Sequence, residues 1–226
     1  MNIRTNRTLA CAALALIFAA AARPARANLL VDPGFELNPL DTAYNVLNFF
    51  PTYQGIWGVE VATITVAENG VTPAQGVKML RMLDDGNVAT QGFQVIDVTS
   101  YAGLIDSGAA TVNFSALFNV DKGVPAAAGA VYMQFFSASN YGSQIGSYIS
   151  IGLNLDNLDT TWETAAVSGA IPVGTRWLLS QVAYSDASLL GLDGQSHPGY
   201  VDAADITITP EPASLGLLGL DGMWVL

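Results

Sequence analysis

A two-residue alternation of apolar and polar side chains runs through most of this chain. The segment ATVNFSALFNV (110–120) places apolar residues at every even position, while Asn113 and Ser115 point the other way. The segment YISIGLNL (148–155) repeats the pattern with apolar residues at odd positions. This period is typical of β-strands with one buried and one solvated face. Further runs of the same kind lie at 61–68, 76–83, 92–98, 130–138, 175–184 and 204–209.

Turn signals separate these runs. Gly and Asn supply the positive φ that tight turns need, and Asp and Pro favour turn entry. About nine strands separated in this way predict an all-β fold, an antiparallel β-sandwich. The turn signals lie at 32–34, 69–70, 85–87, 121–123, 193–194 and 198–199.

Residues 1–27 match a secretory signal peptide. Arg4 and Arg7 precede a 14-residue apolar stretch, and small residues flank the expected cleavage point after Ala27. A basic start, an apolar middle and a small-residue exit are the marks of such a signal. The stretch is shorter than the ~20 residues of a spanning helix. We therefore expect export and no stable membrane span in the mature domain.

The charge of the chain excludes one large class of partner. Removal of residues 1–27 leaves four basic residues against 19 acids. Nucleic-acid binding depends on Lys and Arg meeting phosphates, so no nucleic-acid partner is expected. Cys11, the only cysteine, lies within the signal. The exported fold therefore has no disulfide and relies on core burial or a bound metal.

Catalytic patterns are weak in this sequence. His197 is the only histidine and lies beside Ser196 in a Pro-Gly turn, where a solvated turn residue is the simpler interpretation. A triad needs a base, a nucleophile and an orienting acid, and zinc needs several nitrogen or sulfur ligands. Paired acids at 84–85 and at Asp156 and Asp159 lie in turn-like contexts. The sequence thus predicts a non-enzyme, with a glycan-active enzyme as the outlier.

Four segments, in this order, resemble the galactose-binding-like jelly roll shared by many bacterial carbohydrate-binding modules. They are NLLVDPGFE (28–36), GVKMLRM (76–82), IPVGTRWLLSQVAY (171–184) and YVDAADITIT (200–209). The resemblance covers residues 28–209 and implies a single jelly-roll domain.

The resemblance implies a structural calcium ion where the first and last strands meet. Glu36 and Asp205 match the positions of its carboxylate ligands. Calcium prefers six to eight oxygen ligands, so turn carbonyls would complete the site and its role would be in folding. The alternative is that Glu36 is a surface acid and that Asp202 and Asp205 serve the last turn.

The same resemblance implies a carbohydrate platform built from exposed aromatic rings beside amide groups. The alternative is that these aromatics belong to the core, as aromatics in sandwiches usually do. The candidate ligand-binding residues in the loops 48–58 and 137–144 are Tyr53, Trp57, Asn140, Tyr141 and Gln144.

The C-terminal segment 210–226 resembles the PEP-CTERM sorting signal of Gram-negative bacteria that make exopolysaccharide. Its motif is Pro210, Glu211 and Pro212, followed by a short apolar run. The resemblance implies recognition by an exosortase-type sorting enzyme. Asp221 interrupts the run and no basic cluster follows, so the signal departs from the pattern and matches a truncated one. The alternative is a chance Pro-Glu-Pro ending.

Together these features predict an exported, acidic envelope or extracellular-matrix protein of a Gram-negative bacterium. Its domain is expected to associate with carbohydrate such as exopolysaccharide, without catalysis. The rival hypothesis is a structural or adhesive surface protein that binds other proteins through its sheet edges or loops.

Overall fold

The computed structural model describes residues 27–37, 40–41, 54–84, 89–124, 126–186 and 196–211. Within these ranges lie eleven strands, one short α-helix, α1 (Ala102–Asp106), and two single-turn 3-10 helices at Thr99–Tyr101 and Tyr141–Ser143. The strands are β1 (Leu40–Asp41), β2 (Trp57–Val59), β3 (Ala62–Thr65), β4 (Met79–Leu83), β5 (Thr90–Asp97), β6 (Ala110–Val120), β7 (Ala127–Phe136), β8 (Ile149–Asn154), β9 (Glu163–Ala170), β10 (Trp177–Asp186) and β11 (Pro198–Pro210).

The strands form two sheets. One has six strands in the order β1-β2-β5-β10-β7-β8, and the other has five in the order β3-β4-β11-β6-β9. Pairing between neighbouring strands is antiparallel except between β1 and β2. The chain crosses repeatedly from one sheet to the other, as in a jelly roll. The predicted fold class, an antiparallel β-sandwich of jelly-roll type, is confirmed.

The observed strands follow the alternation closely, except that the short strands β1 and β2 and the longer strand β9 lie outside the predicted runs. β6 coincides with the run at 110–120, and β11 begins six residues before the run at 204–209. The strand β9, ETAAVSGA, was not predicted. Its inward-facing positions are Glu163, Ala165, Val167 and Gly169, so its hydrophobic contrast is too low to reveal a period of two.

The core lies between the two sheets. Every second residue of β6 and β7 points into it, and large rings and branched side chains fill the space. Each fully buried side chain of this size contributes about 1.5–3 kcal/mol relative to exposure. Fully buried core side chains include Phe35, Leu80, Phe114, Phe118, Met133, Phe135, Leu178 and Val182.

The first described segment lies beside the last strand. The Leu29 amide donates to the Ile206 carbonyl at 2.9 Å. The Asn28 side chain accepts from the Ile206 amide at 3.0 Å and donates to the Ala204 carbonyl at 2.7 Å. The two ends of the domain are thus joined by backbone and side-chain hydrogen bonds, as the sequence predicted, but residues 27–37 form turns and bends and not the expected first strand.

Both terminal segments named in the sequence analysis lie largely outside the described residues. Residues 1–26 and 212–226, which include Pro212, are among those not described. Pro210 ends β11, and the Glu211 amide donates to the Ala109 carbonyl at 2.6 Å. The part of the chain that is described contains no helix long and apolar enough to cross a membrane.

Candidate functional site

The outer face of the six-stranded sheet carries a second apolar cluster, separate from the main core. It consists of Phe93, Val95, Phe136 and Leu179, with Trp177 packed against them. These residues lie on β5, β7 and β10, in the middle of the sheet. An outer sheet face usually carries polar side chains, so this buried apolar cluster indicates that other side chains pack against this part of the face.

A row of polar and aromatic side chains continues this outer face towards β8. Gln181 lies opposite Phe93 on one side and opposite Tyr132 on the other, and Tyr132 lies opposite Ser150. Residues directly opposite in a sheet point to the same face. Gln91 and Gln134 share this face because each lies two residues from a member of the row.

We call this surface the tyrosine–glutamine face, defined as Gln91, Tyr132, Gln134, Tyr148 and Gln181. The rings of Tyr132 and Tyr148 are 6.3 Å apart between centroids and are tilted by 50°. Tyr148 is 57% exposed, whereas Tyr132 is half-buried. The Tyr148 ring therefore presents surface to solvent and is supported from beside by Tyr132.

The two glutamines at the other side of this face hold each other in place. The Gln181 amide nitrogen donates to the Gln91 side-chain oxygen at 2.5 Å. This bond leaves the Gln181 carbonyl oxygen and the Gln91 amide nitrogen as an acceptor and a donor of fixed direction. A flat ring beside oriented amides suits a ligand that has an apolar C–H face and hydroxyl groups, as a pyranose has.

The loop that follows β7 returns over the same outer face. Tyr141 is 44% exposed, and its ring centroid lies 5.8 Å from that of Phe136. Gln144 forms an isolated bridge with Phe136, and both Gln144 and Asn140 are exposed. The structure thus places the predicted residues Asn140, Tyr141 and Gln144 at the end of the outer face, next to the apolar cluster.

Trp57 has a different position from the one expected of a sugar platform. Its side chain is only 2% exposed and packs on Phe35, with ring centroids 5.1 Å apart. Its indole nitrogen donates to the Asp32 carbonyl at 3.0 Å. A buried ring has no face to offer, so the prediction that Trp57 contacts ligand is corrected to a core and turn-supporting role. Tyr53 lies outside the described residues.

Sequence reasoning missed the whole of the tyrosine–glutamine face, because none of its five residues was a predicted site residue. Tyr132 and Gln134 are the polar-facing positions of the run 130–138, and Gln181 occupies the same kind of position in 175–184. An aromatic residue on the solvated side of an alternating strand is the signal that would have found Tyr132. The cross-strand register that joins these residues is a tertiary property.

A shallow cavity of about 100 Å³ lies near the first turn. Asp32 contributes the only carboxylate of its lining, and its two oxygens accept the Glu36 and Leu37 amides at 2.7 and 3.0 Å. The cavity therefore offers mainly apolar contact. Its lining consists of Val31, Asp32, Leu37, Gly55, Ile56 and Trp57.

Of the two acids of the expected calcium site, Glu36 and Asp205, Asp205 lies on β11, together with Asp202. Asp202 lies opposite Leu117 and Asp205 lies opposite Ser115, with a bulge between them. The extra residue of the bulge brings both acids to the outer face of the five-stranded sheet, whereas regular pairing would place them on opposite faces. Ala203, within the bulge, has a φ of 48°.

Asp202 is fully buried and accepts two backbone amides, from Gln75 at 2.8 Å and Ala203 at 2.6 Å. Burial raises the pKa of Asp202, and the nearby Glu36 charge raises it further against the effect of these hydrogen bonds. Burial also raises the pKa of Asp205. Of these two acids, Asp202 is therefore the one whose pKa is raised by the charge of Glu36.

Glu36 is held by the segment that precedes β4. Its Oε1 accepts the Val77 and Lys78 amides at 2.7 and 3.0 Å, and the Lys78 ammonium donates to the Glu36 carbonyl at 2.7 Å. The amide of Lys78, then that of Val77, lowers the pKa of Glu36. The charge of Glu36 is thus compensated by protein groups.

These contacts do not assemble the ligand set that calcium prefers. Of the described residues, no three His, Asp or Glu side chains are arranged to hold a metal ion. Oε1 of Glu36 and both carboxylate oxygens of Asp202 accept backbone amides, which compete with a cation for the same lone pairs. Calcium at Glu36 and Asp205 stays a prediction.

His197 is paired with a buried acid, which corrects its interpretation as a solvated turn residue. Its Nδ1 lies 3.1 Å from Asp186 Oδ2, and its backbone amide donates to the same oxygen at 2.7 Å. The Asp186 amide in turn donates to the Asp84 carboxylate at 3.0 Å. Asp84 and Asp186 are both buried, so this cluster joins the end of β10 to the start of β11 and the end of β4.

No protein-family profile and no curated protein sequence matches this chain. The solved structures to which it is similar include carbohydrate-binding modules. TmCBM61, determined in complex with β-1,4-galactotriose, is 17% identical with a TM-score of 0.49, and the match covers 82% of this chain and 99% of that one.

The C-terminal family 22 carbohydrate-binding module of Clostridium thermocellum Xyn10B is 16% identical with a TM-score of 0.46, over 75% of this chain and 97% of that one. The enzymatically active domain of tailspike protein 4 from bacteriophage CBA120 is 11% identical with a TM-score of 0.45, over 75% of this chain and 21% of that one. At these identities and TM-scores, the comparisons carry no inference about ligand or activity.

Proposed function

We propose that this domain associates with polysaccharide, without catalysis, through the tyrosine–glutamine face. The observation that carries the proposal is the exposed Tyr148 ring, supported by Tyr132 and lying on the same sheet face as the Gln91–Gln181 amide pair. A pyranose packs its C–H face on such a ring, while amides bond its hydroxyls.

The polysaccharide expected on this face is uncharged. From Gly123 to Leu155 the chain contains no Asp, Glu, Lys, Arg or His, and this stretch supplies Tyr132, Gln134 and Tyr148. A formal net charge of −11 for the whole chain disfavours acidic polymers. Affinity therefore rests on ring stacking and neutral hydrogen bonds.

We also propose that the protein acts outside the cytoplasm, in the envelope or extracellular matrix of a Gram-negative bacterium. The support is sequence alone: the signal-like residues 1–27 and the Pro210–Pro212 motif. On this proposal an exosortase-type enzyme is a partner during sorting, and exopolysaccharide is the natural ligand.

The test is binding of the purified protein to a panel of polysaccharides by affinity electrophoresis and calorimetry. β-1,4-Galactan and xylan join exopolysaccharide in the panel because structures similar to this chain were studied with β-1,4-galactotriose and as xylan-binding domains. Tyr148→Ala should weaken binding about tenfold or more, since loss of one stacking ring costs 1.4 kcal/mol or more.

Two matched variants make the test specific. Tyr148→Phe keeps the ring and should bind nearly as the wild type does. Val77→Ala alters a residue that is 66% exposed and lies on the segment before β4, and it should bind normally. Binding that persists in Tyr148→Ala and Tyr132→Ala, or absence of binding to every polysaccharide, would remove the proposal.

A further inference from the structure

The strand β8 forms one edge of the six-stranded sheet, within the part of the chain that the structure describes. Edge strands leave a row of backbone N–H and C=O groups open to pairing with another chain. Proteins usually protect such edges with charged residues, proline, bulges or short length. Whether β8 carries such features therefore indicates whether its edge stays unpaired in solution.

β8 carries none of these protective features. Its six residues, Ile149–Asn154, contain no charge and no proline, and their pairing with β7 runs without a register shift. Ser150, Ile151 and Gly152 are exposed, with Ile151 at 45%. The strand is thus neutral and regularly paired on one side, and no described strand pairs with its other side.

The other edges described are protected in ways that β8 is not. β1 has two residues and β3 has four, which are too short for extensive pairing. β9 begins with Glu163, whose carboxylate accepts the Asp156 amide at 2.7 Å. On the inner side of β8, Ile149 packs close against Gly169 of β9, whereas Ile151 is 45% exposed. No strand among the described residues pairs with the free backbone edge of β8.

Charge decides which partner fits this edge. The chain has 19 acids against 8 basic residues, so two copies repel each other over most of their surface. The stretch from Gly123 to Leu155, which contains both β7 and β8, is free of charge. Two copies therefore meet with least repulsion at this hairpin.

We propose that two copies of this chain pair antiparallel through β8, which joins their six-stranded sheets into one continuous sheet. Antiparallel pairing of identical edges is isologous, with a twofold axis perpendicular to the sheet. Both outer faces then point to the same side. The tyrosine–glutamine faces of the two copies, each next to β8, become neighbours on one surface.

Oligomeric state tests this proposal independently of any glycan. The full chain should show, by light scattering and sedimentation, twice the mass that it shows in denaturant. Ser150→Lys and Ile151→Lys each place two ammonium groups near the twofold axis and should raise the dimer dissociation constant about tenfold or more. Circular dichroism and melting temperature confirm that each variant folds.

The matched control is Val173→Lys, at a residue that is 62% exposed in the turn before β10. It adds the same charge away from β8 and should leave the dimer intact. A wild type that stays monomeric at high concentration would overturn the proposal and leave the edge to a different polypeptide. A dimer that survives both β8 substitutions, or that Val173→Lys also dissociates, would overturn it equally.

Discussion

Gly199 of β11 lies directly against the ring of Tyr184 of β10, at a point where the two sheets meet. A Cβ at Gly199 would overlap the Tyr184 ring atoms Cγ, Cδ2 and Cε2. The ring is buried, and its hydroxyl donates to the His197 carbonyl at 3.0 Å, so it has little freedom to move. Gly199→Ala should therefore destabilise the domain by about 1–3 kcal/mol, as overpacking does, measured by urea denaturation.

Gly103→Ala is the control for this substitution. Gly103 lies in α1, and a Cβ there would meet nothing within 4 Å. Its replacement should leave the domain unchanged or up to about 1 kcal/mol more stable, because alanine favours helix. Similar losses at both positions would show that the contact with Tyr184 is not the cause.

A second prediction concerns the joint between the first segment and the last strand. Asn28 accepts the amides of Leu30 and Ile206 and donates to the Ala204 carbonyl. Asn28→Ala leaves these groups without that partner and should cost about 1–3 kcal/mol. Asn154→Ala, at an exposed position of β8, should cost little. A loss confined to Asn154→Ala would contradict the role given to Asn28.

The sequence predicted the sandwich because alternation is a local property of each strand. The alternation within β6 alone predicts that Val112 and Phe114 are buried, without reference to any other strand. β9 was not predicted because its alanine and glycine residues give little hydrophobic contrast between its two faces. The bulge between Asp202 and Asp205 was not predicted because it arises from the pairing of β11 with β6, which the local sequence does not show.

The candidate site was harder to predict for the same reason. Tyr132 and Gln181 become neighbours only through the register of β7 and β10. Trp57 was misassigned because its position in a Pro- and Gly-bearing loop gives no information about burial, whereas Tyr141 was correctly expected at the surface. The sequence identified candidate aromatic rings, but which of these rings are exposed to solvent depends on tertiary packing.

A third prediction is the pH dependence of stability at Asp205. Burial raises the pKa of this acid above its unfolded value of about 3.9. The folded state then holds the proton more tightly than the unfolded state, so stability falls as pH rises from about 4 through the raised pKa. Asp205→Asn should flatten this part of the profile, measured by chemical denaturation between pH 4 and 7.

The calcium hypothesis predicts the opposite result for the same variant. If Asp205 were a calcium ligand, Asp205→Asn and a chelator would both lower the melting temperature at neutral pH. A chelator-induced fall in melting temperature, reversed by added Ca²⁺, would establish the metal. A melting temperature that neither treatment lowers would remove calcium and leave burial as the property that governs Asp205.

A fourth prediction separates a structural from a ligand-binding role of His197. Its Nδ1 lies 3.1 Å from the buried Asp186 carboxylate. His197→Ala weakens the compensation of that charge and should destabilise the domain by about 1–3 kcal/mol. Polysaccharide affinity should stay unchanged, since His197 is not part of the tyrosine–glutamine face. Loss of binding at unchanged stability would contradict the structural role.

The last prediction follows from the absence of charge on the tyrosine–glutamine face. Ring stacking and neutral hydrogen bonds are nearly insensitive to ionic strength, whereas contacts between charges weaken as the Debye length shrinks from about 30 Å at 0.01 M to about 3 Å at 1 M salt. Affinity for the neutral polysaccharide that the panel identifies should therefore change less than about twofold over this range. Polygalacturonate, an acidic polymer, should not bind at low salt because the chain carries a formal net charge of −11. Binding to polygalacturonate that salt abolishes would place the binding surface on the few cations of the protein, such as Lys122 and Arg176, instead of on Tyr132 and Tyr148.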